Sequence, residues 1–129
     1  MPLVTARAAL MPTEDPKKVE KAILMVFPEG EIEHHEGEVI VRSSLLDTFK
    51  KLIRNYRILD STRKVMLRGV GANSTSFSLN KQVAYVGKIS FLEEQAPLGG
   101  IEVTIEDDDI LALVNEVAPV TVNGEEVPA

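Results

Sequence analysis

The spacing of apolar positions changes several times along the chain, and each change predicts a new secondary-structure element. Apolar residues interrupted by single polar ones over residues 3–10 are typical of a short strand. A helix is expected next, because Asp15 or Thr13 can cap its first turn and Pro16 suits the first helical position. We expect this helix to end near Phe27 and to bury a stripe at helical spacing, formed by Val19, Ala22, Ile23 and Val26.

The middle of the chain carries the patterns of one strand and two helices. Residues 30–37 are acidic and are expected to form a turn, whereas the β-branched run at 38–42 predicts a buried strand. The serines at 43–44 can cap a second helix, and Asp60 can cap a shorter third helix that closes at the glycines of 69–71. The second helix has apolar residues at spacings of three and four: Leu45, Leu46, Phe49, Leu52, Ile53 and Tyr56.

The last half of the chain changes to an alternating pattern. Residues 74–91 predict two antiparallel strands joined by a tight turn near 80–82. Residues 101–106 alternate cleanly between apolar and polar, which predicts a half-exposed strand. The three aspartates at 107–109 suit the start of a final helix over 110–117, since carboxylates are favoured at helix N-termini.

These elements predict one α+β domain that spans residues 1–129. Residues 97–100 are expected to form a loop, and residues from about 120 to 129 a loose tail. The predicted order is therefore β-α-β-α-α-β-β-β-α. Three consecutive strands with short connections cannot all be parallel, so we expect a single mostly antiparallel β-sheet with helices packed on one face.

Composition narrows the class of protein. With 129 residues of which 44% are hydrophobic, the chain can bury the core of a single domain. It has no cysteine, which excludes disulfides, thiolate zinc sites and cysteine nucleophiles. No apolar run reaches the roughly 18 residues of a membrane span, and no secretory signal is recognisable, so we expect a cytoplasmic protein with no membrane partner.

Charge is strongly segregated along the sequence. The formal net charge of -6 argues against a phosphate ligand if the charges are evenly spread. They are not, because residues 42–88 carry 10 basic and 2 acidic side chains, a local charge of +8. Residues 1–41 carry 4 basic and 8 acidic side chains (-4), and residues 89–129 carry 10 acidic and no basic ones (-10).

The basic middle third predicts a phosphate-binding face on the second and third helices. Its candidate contacts are Lys50, Lys51, Arg54, Arg57, Arg63, Lys64 and Arg68. The alternative is that these side chains pair with the acidic last third of the chain across the fold. The chain has six Phe and Tyr residues and no Trp, which disfavours binding by stacked single-stranded bases and favours structured or double-stranded RNA.

The sequence gives weaker evidence for a catalytic or metal-binding site than for a phosphate-binding face. His34 and His35 are adjacent, so in a strand they point to opposite faces, and no third ligand stands at a useful spacing. The aspartates at 107–109 are better explained as helix caps than as a magnesium site. No serine lies in a nucleophile motif. We therefore expect no metal, no cofactor and no enzymatic activity. A third hypothesis is a small enzyme that uses His34, His35 and the acidic residues.

Four segments together resemble an uncharacterised archaeal protein family whose wider group is labelled RNA-binding. The resemblance covers about residues 4–121 and rests on the order and spacing of 12–16 (PTEDP), 57–63 (RILDSTR), 79–84 with 87–88 (LNKQVA, GK) and 97–101 (PLGGI). It implies a fold similar to ribosomal protein L5, an archaeal source and a link to RNA processing or the exosome. The sequence departs from the family pattern at Tyr56, where a glutamine is expected.

The matched polar positions extend the candidate RNA contacts to Asn80, Lys81, Gln82 and Lys88. Lys81 and Lys88 are expected to contact phosphates, while Asn80 and Gln82 either contact sugar hydroxyls or simply form a specific turn. The leading hypothesis is thus a non-catalytic RNA-binding protein that docks structured RNA through a basic face. The alternative is an assembly module in which this face pairs with an acidic protein partner or with a second copy in a homodimer.

Overall fold

The fold is that of a computed structural model, which describes residues 2–92, 100–123 and 125–126. The loop predicted at 97–100 lies outside these ranges except for Gly100. The chain folds into helices and strands in the order β1 (Leu3–Ala9), α1 (Pro16–Val26), β2 (Glu31–His35), β3 (Glu38–Ser43), α2 (Asp47–Asn55), α3 (Leu59–Arg68), β4 (Ser74–Asn80), α4 (Lys81–Tyr85), β5 (Phe91–Leu92), β6 (Gly100–Glu106), α5 (Ile110–Val117), β7 (Thr121–Val122) and β8 (Glu125–Glu126).

Six strands form one sheet in the order β2-β3-β1-β6-β4-β5, and every neighbouring pair is antiparallel. Strands β1, β4 and β6 alternate buried and less buried residues, so one sheet face is apolar and the other is polar. The apolar residues of the sheet join those of α1, α2, α3 and α5 in one hydrophobic cluster. The predicted α+β class, with a mostly antiparallel sheet and helices on one face, is confirmed.

The acidic turn predicted at residues 30–37 is wrong, because most of this segment is strand β2. His34 lies opposite Val39 in the antiparallel pair with β3, and His35 lies opposite Glu38. The turn itself is confined to Glu36 and Gly37, and Gly37 has a φ of +77°. Glycine adopts this left-handed conformation without a Cβ clash, so the acidic run closes as a hairpin.

The tight turn predicted at 80–82 is also wrong. Asn80 is the N-cap of α4, and its Oδ1 accepts a hydrogen bond of 3.0 Å from the Val83 N–H. The chain therefore makes a short helix where strand pairing was expected, and β5 is limited to Phe91–Leu92. Three apolar residues of the predicted second strand, Tyr85, Ile89 and Phe91, instead pack against the same hydrophobic cluster from helix, loop and strand.

Helix caps agree with the sequence at two sites and differ at two others. Asp15 accepts from the Lys17 N–H at 3.0 Å, and Asp109 accepts from the Ala112 N–H at 3.1 Å, which confirms both predicted caps. Helix α3 instead begins one residue before Asp60, whose carboxylate accepts a hydrogen bond from the Thr121 hydroxyl. Helix α2 begins at Asp47, after the serine pair expected to cap it.

A row of aromatic rings crosses the core beneath α2. Phe49 is fully buried and stacks on Phe27 at a centroid distance of 5.9 Å and on Phe77 at 5.7 Å. Phe77 in turn meets Phe91 edge-on at 5.7 Å. Phe91 is only half-buried, so the row runs from the interior to the surface beside β5.

The end of α3 lies directly against β4. The Ser76 N–H donates to the Gly69 carbonyl at 3.2 Å, and a Cβ at Gly69 would lie 2.0 Å from the Ser76 carbonyl oxygen. Only glycine permits this approach. It fixes the last turn of α3 beside the sheet, which sets the position of the site described next.

Candidate nucleic-acid interface

The ten basic side chains of residues 42–88 divide into a paired and an unpaired set. The paired set bonds to carboxylates or to backbone carbonyls: Arg42, Lys50, Arg54, Arg63 and Lys81. For the unpaired cations, the described residues place no carboxylate oxygen within the 4.0 Å of a salt bridge. These are Lys51, Arg57, Lys64, Arg68 and Lys88, and all five are exposed.

Two arginines of the paired set hold the C-terminal end of α5. Arg54 donates to the Val117 carbonyl at 3.2 Å and to Glu126 at 3.1 Å. Arg63 donates to the Ala118 carbonyl at 3.1 Å and to Asn115 at 2.8 Å. Positive charge at a helix C-terminus is favourable because the last carbonyls have no intrahelical donor. Both guanidinium groups are therefore used within the fold.

Other acidic residues of the last third of the chain also pair with cations of the basic third. Lys50 pairs with Glu116 at 3.0 Å, and the hydrogen bond from Arg54 lowers the pKa of Glu126 despite the opposing effect of desolvation. Glu126 belongs to the β7–β8 hairpin, within the segment that was expected to be a loose tail. Part of the basic third thus pairs with the acidic last third inside one chain.

Lys81 does not lie on the surface, in contrast to the phosphate contact that the sequence suggests. Its side chain is 8% exposed, and its ammonium donates to both carboxylate oxygens of Glu14 at 3.1 Å and to the Ala9 carbonyl at 3.0 Å. Burial raises the pKa of Glu14, but hydrogen bonds from the Met11 N–H and Lys81, with the charge of Lys81, lower it overall. Since these partners occupy the ammonium, Lys81 is a structural residue.

The neighbours of Lys81 share this structural role in part. Asn80 uses its side-chain oxygen to cap α4, so that atom already accepts a hydrogen bond within the fold. Gln82 is exposed and lines a shallow hollow with Glu14 and Lys81. Lys64 and Arg68, the unpaired cations of α3, line a different cavity from the one that Lys81 and Gln82 line.

Two of the unpaired cations, Lys64 and Arg68, lie one turn apart on α3 and line a common cleft of about 670 Å³. We call it the α3–β5 cleft. Besides these cations, its lining includes hydroxyl residues, one acidic residue and apolar residues: Ser61, Ser76, Ser78, Ser90, Thr104, Glu102, Ile58, Val65, Phe77, Ile89, Phe91, Leu92 and Val103. Its Ser76 and Thr104 hydroxyls are 3.3 Å apart on neighbouring strands. This hydroxyl-rich surface was not predicted from the sequence, although the serines of β4 alternate with its buried residues.

Arg57 occupies an unusual backbone conformation between α2 and α3. Its φ is +54°, in the left-handed region that usually requires glycine. The Ile58 N–H bonds to the Ile53 carbonyl at 2.9 Å and the Arg57 N–H to the Arg54 carbonyl at 3.1 Å, which is a Schellman helix end. The exposed guanidinium is thus held at a position where glycine is preferred over any residue with a Cβ.

Replacing Arg57 by glycine is expected to stabilise the fold. Arg57→Gly should raise the free energy of unfolding by roughly 0.5–1 kcal/mol, because it removes the left-handed strain of a residue with a Cβ. Urea denaturation should show a higher midpoint with an unchanged m-value. Arg57→Ala is the matched control, since it deletes the same side chain and retains the strain. Equal stabilities of the two variants would contradict this account.

The histidines do not form a metal site with their neighbours. His34 pairs with Glu20 and is 59% exposed, whereas His35 pairs with Glu33 and is 49% exposed. The two rings lie on opposite faces of β2, as the strand geometry requires. Within residues 2–92, 100–123 and 125–126, no group of three or more potential ligands is arranged to hold a metal ion. No helix in this part of the chain is long and apolar enough to span a membrane.

The fold and this cleft define an α+β domain with a cationic, hydroxyl-lined surface groove. A family model described as RNA binding matches residues 3–106. A UPF0201 protein of Methanocaldococcus jannaschii is 39% identical over 94% of this chain and 75% of its own length. A UPF0201 protein of Metallosphaera sedula is 35% identical over 96% of this chain and 92% of its own length. The chain belongs to the archaeal UPF0201 family and matches the family described as RNA binding.

Solved structures agree with the fold. The crystal structure of a UPF0201 protein from Methanococcus jannaschii superposes with a TM-score of 0.89 at 37% identity, covering 98% of this chain and 99% of that one. Another relative, from Archaeoglobus fulgidus, is 40% identical over 96% of this chain, and this chain spans only 39% of its length. These UPF0201 matches support the architecture over nearly the whole chain.

Proposed function

We propose that this protein is a non-catalytic RNA-binding protein that docks structured or double-stranded RNA through the unpaired cations of α2, α3, the connection between them and the segment after α4. The observation that carries the proposal is the division of the basic third. Five of its ten cations are exposed without a carboxylate partner among the described residues, although the chain as a whole has a net charge of -6. The match to a family described as RNA binding supports it.

The physical basis is electrostatic contact with phosphates. Exposed Lys and Arg side chains release counterions when they neutralise phosphates, and this term supplies most of the sequence-independent affinity for a nucleic acid. Lys51, Arg57, Lys64, Arg68 and Lys88 are available for such contacts, whereas Arg54 and Arg63 would have to leave the end of α5. The link to RNA processing stays a prediction from the family resemblance.

The assembly alternative is less well supported by the same contacts. Its premise was that the basic face needs an acidic surface from a partner or from a second copy. Lys50 and Arg54 form salt bridges with Glu116 and Glu126 of the same chain, so these two cations do not need an acidic protein partner. Two of the cations that lack such partners among the described residues, Lys64 and Arg68, line an open cleft, and the other three are exposed, which suits a polyanion better.

RNA binding is tested by fluorescence anisotropy with a labelled RNA hairpin at several salt concentrations. Affinity should fall steeply with salt, and Lys64→Gln/Arg68→Gln should weaken binding about tenfold and reduce the slope of log K against log [salt] by roughly 1–2. The matched control is Lys17→Gln/Lys18→Gln, which changes the net charge equally on exposed residues of α1.

Comparison of the α3 variant with the α1 variant distinguishes binding at a local interface from a general effect of net charge. Equal losses in both variants would mean that binding responds only to net charge and would contradict the assignment to α3. Absence of hairpin binding by the unmodified protein at low salt would overturn the proposed function itself. Circular dichroism should show the same fold for both variants, because all four side chains are exposed.

A further inference from the structure

We infer that the α3–β5 cleft is a binding site for a single unpaired ribonucleotide of the docked RNA. The inference rests on the proposed function and deepens it, since it assigns a chemical class of ligand to one cavity. The cleft volume of about 670 Å³ is within the range of small-molecule and cofactor sites. Its lining combines the three kinds of group that a nucleotide needs.

The phosphate of the nucleotide is matched by the cations on α3. Lys64 and Arg68 are exposed and line the same wall one turn apart, and the Ser61 hydroxyl lines it as well. Arg donates a planar fork of N–H groups to phosphate oxygens, and Lys adds a point charge. The described residues offer neither cation a carboxylate partner, so a phosphate would not compete with an existing ion pair.

The base is matched by the apolar side of the cleft. Phe91 is half-buried at the surface end of the aromatic row, and Val65 and Ile89 line the cleft near it. Bases stack or pack on such surfaces with little dependence on their identity. One platform accommodates one base, which is consistent with a chain that is poor in aromatic residues.

The ribose is matched by the polar face of β4 and β6. Ser78 and Glu102 are opposite each other in the register of these strands, and both line the cleft. Glu102 is the one carboxylate in a lining that otherwise suits an anion. A carboxylate accepts hydrogen bonds, so it favours the hydroxyls of a ribose and gives the site a means to distinguish RNA from DNA.

The experiment compares free nucleotides and RNA ends. Titration with AMP should change the amide chemical shifts of residues in α3, β4 and β5. AMP should bind about tenfold more tightly than dAMP, because dAMP lacks one hydrogen bond to a charged group. Glu102→Ala should abolish this preference. A hairpin with a single-stranded overhang should bind more tightly than its blunt counterpart, and inorganic phosphate alone should bind more weakly than AMP.

A variant that fills the cleft tests its location. Ser78→Leu should remove AMP binding and the advantage of the overhang while blunt hairpins still bind. Ser74→Leu is the control, because it lies on the same face of β4 outside the cleft. Binding of blunt hairpins with no response to AMP and no gain from the overhang would overturn this inference alone. Failure of every RNA to bind would overturn the proposed function with it, and AMP binding without an overhang effect would exclude RNA as the ligand.

Discussion

Lys81→Met is expected to lower the free energy of unfolding by roughly 2–4 kcal/mol, because it leaves the half-buried Glu14 carboxylate without its cation. The ammonium of Lys81 makes three hydrogen bonds, two to Glu14 and one to the Ala9 carbonyl, and its side chain is 8% exposed. Glu14 is 29% exposed and can be partly rehydrated, which places the loss toward the lower end of this range.

The double variant Lys81→Met/Glu14→Gln is the control for this prediction. Replacing both charges removes the uncompensated carboxylate, so most of the lost stability should return. Urea denaturation of the unmodified protein, the two single variants and the double variant gives the coupling energy of the pair. A double variant as unstable as the sum of the single variants would show that the charges do not interact.

The pH dependence of this difference has a definite sign. The folded-state pKa of Glu14 is below its ordinary value of 4.5, so the pair contributes stability above that pH and loses it as the pH falls through the folded pKa. Without Lys81 the Glu14 carboxylate is easier to protonate, and its protonation at low pH removes the unpaired charge from the variant. The stability gap between the unmodified protein and Lys81→Met should therefore narrow as the pH falls from 7 to about 4 and below. A constant gap would contradict the ion pair as its cause.

The pair also shows the limit of what this sequence reveals. Lys81 and Glu14 are 67 positions apart, and nothing local to either residue indicates that the fold brings them together. The same is true of Arg54 and Arg63, whose neighbours in sequence predict solvent exposure while the end of α5 lies within reach of both. Charge segregation thus predicted that a basic region exists, but tertiary contacts decide which of its cations stay available.

Features that depend on local chemistry were predictable. Asp15 and Asp109 cap their helices because a short carboxylate reaches the N–H groups two or three residues further on, whatever the rest of the fold does. The class of the sheet followed from the length of its connections. Strand β2 and helix α4 were mispredicted because acidic strands and five-residue helices have weak sequence patterns. Pairing with β3 makes the first a strand, and capping by Asn80 makes the second a helix.

Phe49→Ala is expected to cost about 3–5 kcal/mol of unfolding free energy, which approaches the total stability of many domains of this size. Phe49 is 0% exposed and lies between Phe27 and Phe77 in the aromatic row, so the truncation leaves a cavity that its stacked neighbours cannot fill without moving. Because Phe77 also lines the α3–β5 cleft, the cavity lies directly behind the site proposed for the nucleotide.

Two further variants keep this prediction testable if Phe49→Ala does not fold. Phe49→Leu retains most of the apolar volume and should cost less than about 2 kcal/mol. Phe91→Ala removes a half-buried ring at the surface end of the same row and should also cost less than Phe49→Ala, because the surrounding water can enter the space. Thermal and urea denaturation rank the three variants. If Phe91→Ala were as destabilising as Phe49→Ala, stability would be concentrated at the β5 edge rather than under α2, and the cleft would be a rigid part of the core.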